Sequence, residues 1–218
     1  MNIAVLGTGI VGRTIGDKLM QIGHQVTMGS RTADNPKAAE WAAAAGPGAA
    51  AGTYEDAARA GDVIFNCTSG AGSLEALRAA GKENLAGKIL IDVANPLDFS
   101  NGFPPSLSIV NTDSLGEQIQ REFPELRVVK TLNTMNTGLM VNPSLVPGDH
   151  TVFMSGDDDA AKEQVTGWLT EWFGWKPENI IDLGDITTAR GTEQLLPVWV
   201  RLYARFGSPN FNFHIVTA

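Results

Sequence analysis

The chain has 218 residues, 43% hydrophobic and 18% charged, an ordinary globular mixture that excludes wholesale disorder and fibrous repeats and suits one packed unit with at most a small appendage. A net charge of −8 and a pI near 4.8, with no run of Lys or Arg, exclude the clustered positive charge that neutralises nucleic-acid or membrane phosphates. The single cysteine, Cys67, excludes a disulfide framework and a Cys-based zinc cluster. We expect a cytoplasmic protein with no membrane or nucleic-acid partner, because Met1 leads straight into "NIAVLG" and no apolar run reaches bilayer-spanning length.

Short apolar runs alternate with amphipathic or Ala-rich stretches. The runs are "IAVLG" (3–7), "QVTMG" (25–29), "DVIFNC" (62–67), "KILIDVA" (88–94), "RVVKTL" (127–132) and "TVFMSG" (151–156). Near-continuous β-branched runs predict strands covered on both faces. Helices are predicted between them, over about 10–22, 36–45, 54–60, 72–80, 114–123 and 158–173, with "SLGE" at 114–117 in capping-box spacing. Residues 42–52, rich in Ala and Gly, come nearest to low complexity. Residues 97–113, rich in Pro, Gly, Ser and Asn, predict a long surface loop. After residue 151 come a strand, a helix, a strand over 179–184, a helix from about 190 to 206, and the aromatic tail "NFNFHIV". Pro197 fits the first turn of that last helix or a kink in it. Trp199, Leu202, Tyr203 and Phe206 recur at helical spacing, as core or subunit contacts do.

Gly7, Gly9 and Gly12 form GxGxxG directly after the first strand and at the opening of the first helix, the context that gives the motif meaning. Gly7 permits the tight turn, Gly9 lets backbone approach a pyrophosphate, and Gly12 allows close helix-strand packing. The amides of Ile10 and Val11 then face phosphate at the positive helix end. Glycine turns of this kind also join strands to helices in proteins that bind nothing, and no Gly-Lys-Ser or Gly-Lys-Thr supports a P-loop. The expected fold is α/β, a Rossmann-type doubly wound, mostly parallel sheet with a small C-terminal α/β extension. Residues 1–150 are expected to form the cofactor-binding domain, with residues 151–218 as a smaller part packed on it.

Dinucleotide choice is made at the end of the second strand, where NAD proteins carry an acid. This chain has Ser30, Arg31 and Thr32 instead, two hydroxyls and a guanidinium suited to the 2′-phosphate of NADP(H). Thr68 and Ser69, Ala94 and Asn95, and the stretch "NTMNTG" (133–138) also follow strands, where they would contact the nicotinamide half. Cys67 reads as a buried strand residue, since no histidine neighbours it. His24, His150 and His214 lack metal-ligand spacing, "GDDDAAK" (156–162) reads as a helix cap, and no GxSxG elbow appears, so neither metal nor hydrolytic chemistry is expected. About 60 residues after the sheet are too few for the helical domain of a hydroxyacid dehydrogenase. Hydride transfer to another bound ring needs only stacking and orientation, with no catalytic acid or base side chain.

These residues resemble the NADPH-dependent deazaflavin (coenzyme F(420)) reductases, which share their Rossmann domain with the STEAP metalloreductases. The resemblance runs through "GTGIVGRTIGDKLMQIGHQVTMGSRT", "DVANPLDF", "VVKTLNTMN", "SGDDDAAK", "DLGDITTARGTEQLLPVWVRL" and "NFNFHIV". It implies a homodimer that moves hydride between NADP(H) and the deazaflavin, with residues 151–218 supplying acceptor pocket and dimer contacts. Thr8, Ile10, Val11, Ser30 and Arg31 match its NADP-binding positions. Asn133, Thr134, Met135, Asn136 and Thr137, with Gln194, Leu196 and Pro197, match the walls of its deazaflavin pocket. The chain departs from archaeal members there: Asn133 stands for a histidine, and Gln194 and Leu196 for Ser and Thr, which leaves a flavin, quinone or imine as alternative acceptors. A non-catalytic NADP(H) sensor is the alternative of another class. Arg190 and Glu193 could pair with each other, orient an acceptor, or tie the last helix to residues 133–138.

Overall fold

The computed structural model describes residues 1–217. In chain order it runs β1 (Asn2–Leu6), α1 (Ile10–Gln21), β2 (Gln25–Ser30), α2 (Pro36–Ala45), β3 (Ala49–Thr53), α3 (Tyr54–Ala60), β4 (Val63–Asn66), α4 (Gly70–Ala80), α5 (Lys82–Leu85) and β5 (Ile89–Asp92). There follow β6 (Leu97–Asp98), β7 (Ser106–Leu107), α6 (Leu115–Glu122), β8 (Arg127–Thr131), α7 (Thr137–Val141), β9 (Val152–Ser155), α8 (Asp159–Trp168), β10 (Ile180–Asp182), α9 (Ala189–Gln194) and α10 (Leu196–Phe206).

Eight strands form one sheet in the order β10-β9-β8-β5-β4-β1-β2-β3, parallel throughout except where β9 runs antiparallel to β8. Successive residues of one strand serve different cores. Ile3 and Val5 join the cluster with Val63, Phe65, Ile91 and Trp175, while Ala4 and Leu6 join Ile64, Leu77, Leu90 and Ile119 on the opposite face. This two-sided burial is why the strands lack a polar alternate. The expected fold class is the one observed, and the strands after residue 151 extend the same sheet. From β1 the chain winds outward through β2 and β3, then crosses to β4 and winds the other way, so the switch point lies between β1 and β4.

Three local readings change. The Ala-Gly stretch contains the edge strand β3, paired with β2 from Val26↔Ala49 to Ser30↔Thr53. A complete capping box opens α3, with Thr53 and Asp56 bonding reciprocally. Ser114 caps α6 by accepting from the Glu117 amide at 3.1 Å, but the Glu117 carboxylate turns to the Ser114 hydroxyl and to Arg190 rather than back to the cap amide. The 97–113 loop carries a small antiparallel hairpin, β6 with β7. Pro197 sits in the first turn of α10, separate from α9, where its missing N–H costs nothing.

Candidate functional site

The switch point opens into a cavity of about 480 Å³ lined by Gly7, Thr8 and Gly9 after β1, Arg31 after β2, Tyr54 at the start of α3, and Cys67 to Ser69 after β4. Gly72, Glu75, Ala76 and Ala79 of α4 complete the wall. The three motif glycines have three separate reasons. Gly7 has φ +121°, and a Cβ there would lie 2.5 Å from the Cys67 carbonyl oxygen. A Cβ on Gly12 would meet the Gly7 oxygen at 2.1 Å. A Cβ on Gly9 would meet no protein atom within 4 Å, so that glycine keeps space clear for something outside the fold.

Helix α1 begins at this cleared space with Gly9 as N-cap, no side-chain cap and no acid in its first turn. The amides of Ile10 and Val11 therefore have no intrahelical acceptor and stand at the positive end of the helix. Helix α4 begins alongside, its N-cap Ser69 making no side-chain cap bond and its first turn also free of acids. Two adjacent uncapped helix starts, a Gly9 with empty space above it and Arg31 on the rim fit a dinucleotide diphosphate with a 2′-phosphate.

At the rim, Ser30 is buried and its hydroxyl donates to the Thr32 carbonyl at 2.6 Å, fixing the turn that presents Arg31. Arg31 and Thr32 are exposed. Burial raises the Tyr54 phenol pKa, and the charge of Arg31, which lines the same cavity, opposes that shift. Burial, and then the charge of Asp92, push the Cys67 thiol pKa far up, so it is protonated and inert as a nucleophile.

Beyond the cavity, the strand register places Asn66, Asp92 and Lys130 side by side on β4, β5 and β8. Asn66 donates to Asp92 Oδ1 at 2.8 Å and to the Ser73 hydroxyl at 3.0 Å, while its carbonyl accepts from the Thr68 hydroxyl at 2.7 Å. Lys130 Nζ uses all three protons: on Asp92 Oδ2 at 2.9 Å, on Glu193 Oε1 at 2.8 Å and on the Ala94 carbonyl. Burial disfavours the Lys130 charge, yet the two carboxylates outweigh it and hold its pKa above the ordinary lysine value. Glu193 also accepts from the Leu115 and Gly116 amides at 2.8 and 3.1 Å, completing the start of α6. Arg190 pairs with Glu117 of α6, with Nε 2.8 Å from Oε2. Arg190 and Glu193 thus pair with different partners, not with each other, and both fasten α9 to α6.

Asn95 and Asn133 form a reciprocal amide clasp, with Asn95 Nδ2 2.8 Å from the Asn133 carbonyl and Asn133 Nδ2 2.9 Å from Asn95 Oδ1. The residue before it, Leu132, is buried with φ +61°, a left-handed conformation costing on the order of 1–2 kcal/mol in a branched residue. Asn136 caps α7, accepting from the Gly138 amide at 2.8 Å, and also donates to the Pro209 carbonyl. Thr134 and Met135 are buried, Thr137 is half-buried, Gln194 donates to the Arg190 carbonyl at 2.9 Å, Leu196 is buried and Pro197 exposed. Among the predicted positions, Gly7, Thr8, Gly9, Arg31, Thr68 and Ser69 meet in the cavity, and Asn95 and Asn133 meet in the clasp. Sequence reading missed Tyr54, Glu75, Asn66, Asp92 and Lys130. A signal for the last three was present: each is a polar residue near the end of an otherwise apolar run. Among the described residues no group of His, Cys, Asp and Glu is arranged to hold a metal ion, and no helix is long and apolar enough to cross a membrane.

The fold and cavity define a dinucleotide-binding α/β protein of the Rossmann class. Residues 2–96 match the family described as NADP oxidoreductase coenzyme F(420)-dependent. A crystal structure from Arthrobacter sp. FB24, provisionally assigned as an F(420)-dependent NADP-reductase, is 54% identical, covers 100% of both chains and superposes with a TM-score of 0.93. Metalloreductase STEAP3 of Rattus norvegicus is 30% identical over 203 residues, which are 90% of this chain and 37% of that protein, so this chain spans little over a third of its curated relative. An imine reductase of Streptomyces aurantiacus, 21% identical over 95% of this chain and 64% of its own with a TM-score of 0.66, shares the fold. The chain belongs to the NADP oxidoreductase family described as coenzyme F(420)-dependent.

Proposed function

We propose that the protein is an NADP(H)-dependent oxidoreductase that exchanges hydride with coenzyme F(420), a deazaflavin. The observation that carries the cofactor half is the exposed Arg31 at the end of β2, with no acid there, on the rim of the cavity that Gly9 keeps clear. Gly7, Thr8, Gly9, Ile10, Val11 and Gly12 would hold the diphosphate, with Ser30, Arg31 and Thr32 at the 2′-phosphate and Thr68, Ser69, Ala94 and Asn95 toward the nicotinamide. When bound, the cofactor supplies a hydride, two electrons and a proton, which the acceptor takes up with one further proton from water. This chain's residues orient the two rings and exclude water; no side chain need relay a proton.

The acceptor half rests on family membership and on the provisionally assigned relative at 54% identity. In this reading residues 151–218 form a C-terminal part that closes the acceptor side, where residues 133–137 meet Gln194, Leu196 and Pro197. Mixing protein, NADPH and oxidised coenzyme F(420) should bleach the deazaflavin's visible absorbance, and an unchanged spectrum at saturating cofactor would refute that acceptor. Asn133, Gln194 and Leu196 favour, as second reading, reduction of another small acceptor such as a flavin, quinone or imine. Tight NADPH binding without turnover on any of these would make the protein a sensor. The apolar, exposed Val198, Tyr203 and Phe206 of α10 support a homodimer, which light scattering of the eluting protein would register as twice the chain mass. A cytoplasmic setting accords with the single unpaired Cys67.

A further inference from the structure

The buried cluster around Lys130 is costly to assemble. One ammonium and two carboxylates lie wholly out of water, their side chains 0% to 1% exposed. Apolar side chains of similar volume in such places often serve stability equally well. What they cannot supply is direction, and the bonds here have one. Ala94 is gripped at both ends of its backbone: its amide donates to Asp92 Oδ1 at 3.2 Å, and its carbonyl accepts from Lys130. The next residue is Asn95, whose side chain is clasped by Asn133. Asn133 in turn follows the left-handed Leu132, two residues beyond Lys130 and just past the end of β8. Both halves of the clasp therefore leave strands that the lysine joins. Its third proton, on Glu193, adds α9 and the residue before Gln194 to the same node.

We propose that Lys130 and Asp92 are positioning residues that hold the Asn95–Asn133 clasp, and α9 beside it, in register for the nicotinamide end of the cofactor. This rests on the NADP(H) reading of the cavity. Lys130 has no proton to spare and no exposure, so it acts through Asn95 and Asn133 and not on a reacting atom. Asp92 is equally specific in its bonding: its two oxygens accept from Lys130, Asn66 and the Ala94 amide. An asparagine there has one oxygen and would release at least one of them, while leaving one positive and one negative charge in the cluster.

The test compares NADPH with 2′-phospho-ADP-ribose, which lacks the nicotinamide, in wild type, Asp92→Asn and Lys130→Met, by calorimetry and by the fluorescence of bound NADPH. In both variants the fragment should bind within about twofold of wild type, while NADPH should lose about tenfold in affinity and its emission should move toward that of the free cofactor. Should Lys130→Met not fold because two carboxylates lose their partner, the charge-balanced Asp92→Asn decides alone. Equal weakening of fragment and NADPH would reveal a merely structural cluster, and unchanged NADPH binding and emission would show that the clasp does not depend on it; either result overturns the proposal. A wild type that binds NADPH no tighter than the fragment overturns it as well and leaves the NADP(H) reading standing. A wild type that binds neither removes both.

Discussion

At the residue scale the glycine loop separates folding from binding. A Cβ on Gly12 would lie 2.1 Å from the Gly7 backbone oxygen, which cannot recede without moving the turn, whereas a Cβ on Gly9 would meet open space. Gly12→Ala should therefore lower the melting temperature by several degrees, in line with an overpacking cost of about 1–3 kcal/mol. Gly9→Val should melt within about a degree of wild type, since surface changes away from packed features stay near ±0.5 kcal/mol. It should nevertheless lose NADPH affinity about tenfold or more in titration calorimetry. Arg31→Ala should weaken NADPH about tenfold or more and leave NADH nearly unchanged, because a charge-assisted bond to phosphate is worth about 1.5–3 kcal/mol. Equal loss for the two cofactors would sink the 2′-phosphate assignment. The placement of these residues, on the turns after β1 and β2, was legible in the sequence because it depends on neighbours close along the chain.

At the scale of elements, legibility stopped where pairing register began. Asn66, Asp92 and Lys130 lie far apart in sequence and become neighbours only because β4, β5 and β8 align them, a fact no periodicity encodes. Arg190 and Glu193 looked like partners at helical spacing, yet each reaches α6 across the joint. That joint, with the start of α6 beside it, has a pH signature. Hydrogen bonds from Arg121 hold Asp113 down at about 2, and those from Arg190 hold Glu117 below the usual carboxylate range. Depressed carboxylates contribute stability that is complete above their unfolded values, about 3.9 for Asp and 4.3 for Glu, and vanishes as pH falls through the folded ones. The melting temperature, followed by circular dichroism, should therefore fall between about pH 4 and pH 2. Arg190→Ala should melt lower at neutral pH and show a smaller further loss across that acid window.

At the scale of the whole molecule, one eight-stranded sheet carries both the cofactor cavity and the C-terminal segment. The fold class was readable from alternating runs, but the edge strand β3 was hidden, because Ala and Gly contribute little apolar signal and the strand exists by pairing with β2. A ligand seated at the switch point stabilises the folded molecule by mass action, by about 2.7 kcal/mol at a hundredfold excess over its Kd. Thermal unfolding should accordingly shift upward with NADPH well before it does with equal NADH, and identical shifts would count against the assigned cofactor. The turn after β2 carries one last consequence. Ser30 secures it from within through the Thr32 carbonyl, and Arg31 forms no salt bridge to any described residue. On the NADP(H) reading, the guanidinium proposed to meet the 2′-phosphate is thus detachable from the architecture that presents it, so coenzyme preference should shift at one solvent-facing position without the fold registering the change.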